Sequence, residues 1–352
     1  MHAIVPPYLL ARLAEADAPH LADAAEAARA TLALPRVYHP TLTDLDVSVE
    51  GDALVFEGSP SPDRVISDAQ HRENLPGVRV RAEGEPAVAD IAVDEAYDGL
   101  GETFDFLWDA FRRASIDGTG GRLEATVHYG EKYDNAFWNG ERMVFGDGDG
   151  EVFAGFTGSL SVIAHELGHG VVEHSGGLAY RGQSGALNES IADVFGALTE
   201  QHSHRQRADE ASWLIGAGIF TAAVQGEALR SMKAPGTAYD DDVLGRDPQP
   251  AHMRDFVKTT DDNGGVHINS GIPNKAFHLA ATALGGYAWE RAGRIWYLTL
   301  TGGTLTPTTD FAAFAAATLR TARAEYGETS EEAAAVRTAW SGVGVTIGAS
   351  GS

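Results

Sequence analysis

The chain has 352 residues, enough for two domains or one large one, and with 43% hydrophobic and 22% charged residues its composition is that of a globular protein. Its 26 Lys and Arg face 50 Asp and Glu, a formal net charge of −24, which argues against binding nucleic acid or an anionic membrane through bulk electrostatics. The absence of cysteine excludes a disulfide scaffold, thiolate-bound zinc and a Cys nucleophile, and leaves His, Asp and Glu as the strong metal ligands.

Met1 to Tyr8 has no basic start followed by an apolar run, so it does not read as a Sec signal peptide. No stretch reaches 18 apolar residues. The expectation is a chain that stays in the cytoplasm or leaves by a non-Sec route. Pro6-Pro7-Tyr8 is expected to be extended, because proline fixes φ and restricts the residue before it. A short helix follows, then a second from Leu21 to Leu34, ended by Pro35 and Pro40. Alternation over residues 42–58 around Glu50-Gly51-Asp52 predicts a hairpin, and residues 78–82 a strand. Between Asp94 and Ser115, Tyr97, Leu100, Phe104, Leu107, Trp108 and Phe111 recur at helical spacing. Strands are predicted at Leu123–Tyr129 and Met143–Phe145, the latter followed by a tight turn over Gly146–Gly150. From about residue 160 the pattern is mainly helical, with helices at 160–174, 185–203, 208–225, 271–284, 289–301, 309–326 and 330–342. Thr329 and Glu332 suggest a capping box for the last. A mixed α/β half thus precedes an α half, and there are no internal repeats.

The chemistry concentrates in His165-Glu166-Leu167-Gly168-His169. On a helix the two histidines lie one turn apart on one face and can share a metal ion, with Glu166 beside them. Leu160, Ile163, Ala164, Leu167 and Val171 give that helix an apolar stripe, Ser159 can cap it, and Gly176-Gly177 can end it. Catalytic zinc takes three protein ligands. Glu189, 20 residues after His169, is the candidate third, on a helix that also carries Asp193 one turn later. Asp193 can accept the second N–H of a ligating histidine and fix its tautomer. Apolar Leu187, Ile191, Val194 and Phe195 imply that this helix is largely buried, where unpaired carboxylates would be costly. Among the other histidines, His202 and His204 are expected to be solvated and His278 to be a satisfied core residue, while His71, His128, His174 and His252 show no partner pattern.

The run His165-Glu-Leu-Gly-His169 with Asn188-Glu-Ser-Ile-Ala-Asp193 resembles the thermolysin-like zinc metallopeptidases, and the resemblance extends over about residues 64–345. Asn135–Gly140 with Met143–Gly150 resembles the family's substrate-binding edge strand, Leu229–Met232 its arginine motif, and Asp262–Gly271 its second catalytic segment. The resemblance implies an α+β fold of two lobes, mixed α/β and mainly α-helical, with the zinc site in the cleft between them. It implies a neutral endopeptidase in which Glu166 activates a zinc-bound water and delivers its proton to the leaving nitrogen. His267 and Tyr180 would stabilise the oxyanion, Asp262 would orient His267, and Arg230 would bind the substrate carbonyl on the leaving-group side. Asn135 and the backbone of Ala136 would pair with an extended peptide by strand addition. Phe153, Phe156, Val162 and Leu229 match the apolar specificity pocket and imply cleavage before large hydrophobic residues.

The chain departs from that pattern in two places. Glu200 matches one calcium ligand, but Ser161, Ser212, Leu214 and Ala217 stand where carboxylates would be, so the family's double Ca2+ site is expected to be lost. Asp240-Asp241-Asp242 is read as a solvated charge run and the Asp147–Asp149 turn as no EF-hand. The segment before the catalytic region is short, and with its Pro-Pro-Tyr start it resembles the protealysin branch, whose short propeptide inhibits the enzyme and is removed. The expected division is a prosegment over residues 1–45 lying in the active-site cleft, an N-terminal lobe over 46–174 and a C-terminal lobe over 175–352. The resemblance also implies peptide or protein substrates and a possible protein inhibitor. Two other readings compete: a non-catalytic binding or adhesion protein on a peptidase scaffold, and a serine hydrolase built on Gly182-Gln-Ser-Gly185, one residue short of a nucleophile elbow.

Overall fold

A computed structural model describes residues 2–34 and 60–347. The predicted hairpin over 42–58, the prolines at 35 and 40 and the boundary at residue 45 lie outside the described residues. The N-terminal segment contains a short strand β1 (His2–Ala3) and helices α1 (Pro7–Ala14) and α2 (Ala22–Ala33). Pro6 is extended as expected, but Pro7 and Tyr8 already belong to α1. Proline at the first helical position loses no hydrogen bond and its fixed φ suits the helix.

The first lobe follows with β2 (Arg64–Asp68), β3 (Val78–Ala82), α3 (Ile91–Phe111), β4 (Leu123–Val127), β5 (Ala136–Trp138) and β6 (Met143–Phe145). One six-stranded mixed sheet runs β1-β5-β6-β4-β2-β3. β2 is parallel to β4 and β4 to β6, while β5 is antiparallel to β6. Strand β2 escaped the sequence reading because Arg64-Val-Ile-Ser-Asp68 is short and barely alternates. At the other margin β1 pairs antiparallel with β5, His2 opposite Trp138 and Ala3 opposite Phe137. The chain's own beginning therefore covers the edge that would otherwise present free backbone groups.

Two long helices form the floor of the cleft: α4 (Leu160–Glu173) and α5 (Gly182–Ser203). The apolar stripe on α4 marks one face, yet every residue from Ser161 to Val172 is buried. Its polar face is turned towards the site instead of solvent. Ser159 occupies the N-cap position without a capping bond; its hydroxyl meets that of Ser161 at 3.2 Å. Two glycines let the helices approach closely. A Cβ on Gly196 would stand 2.5 Å from the Ser161 carbonyl oxygen, and one on Gly168 3.0 Å from the Cα of Ala192. That approach brings the His165–His169 face against Glu189 and Asp193.

The predicted helix over 208–225 does not form. Instead β7 (Leu214–Ile215) pairs with β8 (Arg230–Ser231), and Trp213, Gly216 and Gly218 adopt positive φ that breaks a right-handed helix. A second small ribbon pairs β9 (Asp240–Asp241) with β10 (Gly245–Arg246). Asp241 is spent there on the N–H groups of Gln225, Val243 and Leu244. The helical lobe is completed by α6 (Asp262–Asn269), α7 (Gly271–Leu284), α8 (Arg294–Thr301), α9 (Phe311–Tyr326) and α10 (Glu331–Gly342). Residues 289–293, expected as α-helix, form a π turn ahead of α8. The cap of α10 is Ser330, which accepts from Ala333 N–H, and not Thr329. His202 is half-buried beside Trp289 and Phe106, ring centroids 5.2 and 5.6 Å away, and is not simply solvated. His278 is buried as expected, but its Nδ1 has no hydrogen-bond partner among the described residues, and burial pushes its pKa down to about 4.

His128 ties three elements together at the C-terminal end of β4. Its Nδ1 meets Asp147 at 2.9 Å in the turn after β6, and its Nε2 meets Asp90 at 3.1 Å. Asp90 in turn caps α3 by accepting from Val93 N–H. The hydrogen bond with Asp147 raises the His128 pKa to about 9, against the opposing effect of burial and with the help of both negative charges. A histidine held above its ordinary value stabilises the fold fully below pH about 6.5, and that contribution is lost as pH rises through about 9. The unfolding free energy is therefore expected to fall by about 1–2 kcal/mol between pH 7 and 10, allowing for solvent screening at this partly exposed site. Urea titrations of the native chain and of His128→Gln across that range check it: the variant should lack this part of the slope.

Candidate active site

The two helix histidines are fixed from behind. His165 Nδ1 lies 2.7 Å from Asp193 Oδ1, and His169 Nδ1 2.8 Å from Asn188 Oδ1. Asn188 donates its amide N–H to the Leu178 carbonyl, which identifies the oxygen as the atom facing His169. Both Nδ1 atoms thus act as donors, and both Nε2 atoms carry lone pairs. Those two lone-pair atoms stand 3.1 Å apart, with Glu189 oxygens 3.6 Å from one and 3.5 Å from the other. Acceptors this close repel one another in a buried site unless a cation lies among them. A tetrahedral ion with bonds of about 2.0–2.1 Å separates its ligand atoms by roughly 3.3–3.4 Å, so the donor set fits zinc. Glu189 Oε2 is buried without a hydrogen-bond partner among the described residues, as a ligand oxygen would be. His165, His169 and Glu189 are the residues that would hold it. Burial, followed by the neighbouring histidines, holds His169 well below the usual histidine range and keeps it neutral.

Glu166 is fully buried on the same helix. One carboxylate oxygen accepts from Trp138 N–H at 2.9 Å; the other has no partner among the described residues. Burial, reinforced by the negative charge of Glu189, pushes its pKa well above the carboxylate range. Asp193 serves two masters. It accepts from His165, from Arg230 Nε at 2.9 Å and Nη2 at 2.8 Å, and from Asn274 at 2.8 Å. Burial alone would raise its pKa, but the Arg230 guanidinium and His165 outweigh this and hold it well below the usual range.

His267 and Tyr180 enter from the other side. Residues 262–265 all take positive φ, a left-handed turn that Asp-Asn-Gly-Gly tolerates and few other sequences would. It folds the Asp262 carboxylate back on His267: Oδ1 lies 2.5 Å from Nδ1 and Oδ2 accepts the backbone N–H at 2.9 Å. Burial would lower the His267 pKa, but the charges of Glu189 and Asp262 carry it up to about 9. Tyr180 donates to Glu189 and lies 3.1 Å from His267 Nε2; burial and Glu189 push its pKa up, so it remains a donor. Phe153, Phe156, Val162 and Leu229 are all buried in the main apolar core. Ser184 donates within the first turn of α5 to Ala179 and Arg181 carbonyls, which leaves it no base and removes the serine-hydrolase reading.

The remaining expected contacts are occupied by the chain's own N-terminal segment. Ile4 N–H donates to the Ala136 carbonyl at 3.0 Å, and Val5 N–H to Asn135 Oδ1 at 2.9 Å. Asn135 returns an N–H to the Val5 carbonyl at 3.1 Å. Arg230 Nη1 donates to the Ile4 carbonyl at 3.0 Å, and His267 Nε2 lies 3.0 Å from the Ala3 carbonyl. Asn188, Asn274, the Trp138 N–H and His2 were not singled out in the sequence. Asn188 adjoins Glu189 in the motif and could have been found there; the others are brought in by the fold.

The sequence profile of the "Thermolysin metallopeptidase, catalytic domain" matches residues 68–173, and that of the "Thermolysin metallopeptidase, alpha-helical domain" residues 176–345. The chain belongs to the thermolysin metallopeptidases. It is 55% identical over 284 residues to an "Extracellular metalloprotease" of Pectobacterium carotovorum subsp. carotovorum, covering 81% of each chain. It is 39% identical over 288 residues to "Thermolysin" of Alicyclobacillus acidocaldarius subsp. acidocaldarius, covering 79% of this chain and 50% of that protein. Among solved structures, the "Precursor of Protealysin, Metalloproteinase from Serratia proteamaculans" superposes with a TM-score of 0.88 at 49% identity, over 98% of this chain and 100% of that one. The two-lobed thermolysin fold follows, and with it a metalloendopeptidase of a zinc-dependent family.

The support behind the histidines gives a measurable consequence. Removing the oxygen that holds His169 in Asn188→Ala is expected to weaken zinc binding by about 10–100-fold, read by competition with a chromophoric chelator. Asp193→Ala, which strands the Arg230 charge in the interior, is expected to cost about 3–5 kcal/mol of stability in urea unfolding.

Proposed function

We propose that this metallopeptidase cuts peptide bonds on the amino side of large hydrophobic residues, with Glu166 as its proton carrier, and that it is made as a latent precursor. One observation carries the reading: the backbone of Ala3, Ile4 and Val5 is held in the cleft by Ala136, Asn135, Arg230 and His267. These are the groups an extended peptide substrate would need, and the segment adds to the sheet as a strand in the way such peptides are read. Ile4, whose carbonyl Arg230 holds, is itself fully buried, which favours a bulky apolar residue at that position.

When bound at His165, His169 and Glu189, zinc supplies Lewis acidity that makes a water nucleophilic near neutral pH and polarises the scissile carbonyl. Glu166 takes the proton of the attacking water on its free oxygen. Its raised affinity for protons, a product of burial beside Glu189, suits a group that must accept a proton and then give it to the leaving nitrogen. His267, held in place by Asp262, and the Tyr180 hydroxyl donate to the oxygen that gains charge in the tetrahedral intermediate. Arg230, anchored by Asp193, holds the carbonyl of the following residue. The same geometry supports a role for the N-terminal segment as an inhibitor in cis, since β1 lies along the strand edge a substrate would use. A 49%-identical solved structure, that of a protealysin precursor, supports that assignment. An adhesion protein would have no use for Glu166, whose buried carboxylate keeps one oxygen without a partner among the described residues.

Casein hydrolysis by the matured chain is expected to stop on zinc chelation and to return on zinc addition. Glu166→Ala should lower kcat by about 10²–10⁴-fold while retaining zinc. Activity that survived both treatments would reject the mechanism. For latency, intact mass and activity followed together over time should show a loss of N-terminal mass that tracks a rise in rate; a stable full-length chain with full activity would reject it.

A further inference from the structure

The N-terminal segment occupies a substrate's place, yet it carries a side chain that no substrate contact requires. His2 is buried, with a ring lying on that of His169 at a centroid distance of 4.1 Å and an interplanar angle of 23°, and edge-on to Tyr180 at 4.2 Å. A ring nitrogen of His2, a ring nitrogen of His169 and a carboxylate oxygen of Glu189 lie within 4.8 Å of one another. Its Nδ1 is buried and has no hydrogen-bond partner among the described residues. A buried imidazole nitrogen without a partner is costly, and this one lies beside two of the three residues that would hold zinc. His2 is also locked in place, because the next three residues are fixed by the hydrogen bonds to Ala136, Asn135, Arg230 and His267.

The geometry points to His2 as a fourth, removable ligand for the catalytic zinc, which closes the coordination position a nucleophilic water needs and thereby locks the precursor. This rests on the latent-precursor reading above and deepens it. Catalytic zinc sites keep one position open, whereas sites with four protein ligands are structural and inert. A histidine delivered by the prosegment would convert the first kind into the second. The conversion is reversed when the segment leaves, with no further change in the enzyme. It also accounts for a segment seated as a substrate that is not consumed as one.

The test uses the full-length zinc-loaded chain carrying Glu166→Gln, so that no self-processing occurs, alone and with His2→Phe or His2→Ala added. Phenylalanine keeps the stacking on His169 but cannot ligate. Zinc K-edge X-ray absorption should count three imidazoles in the parent and two in both His2 variants. Zinc release to a chelator in excess should be at least 10-fold faster in both variants. Two imidazoles in the parent, or a count and a release rate unchanged by both substitutions, would overturn the proposal. The latency reading is judged separately, by comparing hydrolysis by the otherwise native chain before and after removal of its N-terminal segment. If removal raises the rate but the absorption spectrum is indifferent to His2, only the ligand assignment fails. If removal leaves the rate unchanged, latency itself fails and the lock falls with it.

Discussion

The carboxylate of Asp193 has no access to water and four uses. It accepts hydrogen bonds from His165 Nδ1, from two nitrogens on one edge of Arg230 and from the amide of Asn274. A charge buried this deeply is tolerable only if every lone pair is met. That requirement brings together one helix that would bear zinc ligands, the second such helix, the β7–β8 ribbon that carries Arg230, and α7, which carries Asn274. Because Arg230 also reaches the Ile4 carbonyl, the same ion pair links the face that bears the candidate zinc ligands to the edge that holds the N-terminal segment. Charge at one end is therefore coupled, through a single side chain, to recognition at the other.

That arrangement depends on close helix packing, which two glycines permit. Gly196 sits against the Ser161 carbonyl and Gly168 against Ala192, so α4 and α5 approach without side chains between them. Depth of burial then does chemical work. It disfavours charge on Glu166 and on His169, with opposite consequences: the acid gains affinity for a proton and the imidazole stays neutral. His267 moves the other way because Glu189 and Asp262 surround it with negative charge. Three groups of one site are thus tuned by neighbours more than by their own type.

The N-terminal segment is held by the machinery it covers. β1 extends the sheet at β5, α1 buries Leu9, Leu10 and Leu13 in the main core, and α2 reaches the catalytic lobe through Thr31, whose hydroxyl accepts from Asp134 N–H. Recognition by backbone hydrogen bonds is tolerant of sequence, so the chain can place its own residues where those of a substrate would go. Surface acids join in at α2, where Asp23 pairs with Lys132 at 3.2 Å and Glu151 accepts from Ala24 N–H at 3.2 Å, while the contacts of residues 3–5 are made by backbone and by buried side chains.

Several features could be read directly from the residues because local rules govern them. The i, i+4 spacing of His165 and His169, the same spacing of Glu189 and Asp193, and the boundaries of α7 depend on helix period and on nothing distant. Asp-Asn-Gly-Gly at 262–265 was visible as a motif, but its left-handed turn was not, since positive φ at Asp and Asn is enforced by what the turn holds. The region after residue 208 looked helical by composition and became strands and turns because tertiary pairing with Phe153 and Ser231 outweighed weak local propensity. His128 showed no partner until the fold carried Asp90 and Asp147 to it from 38 and 19 residues away. His2 was silent for the same reason. The sequence by itself determined the donor set and the family chemistry, which reside in short helical spacings. Only the tertiary structure decided how those groups are buried, paired and covered, because burial and charge pairing are properties of neighbours that the chain brings together from far apart.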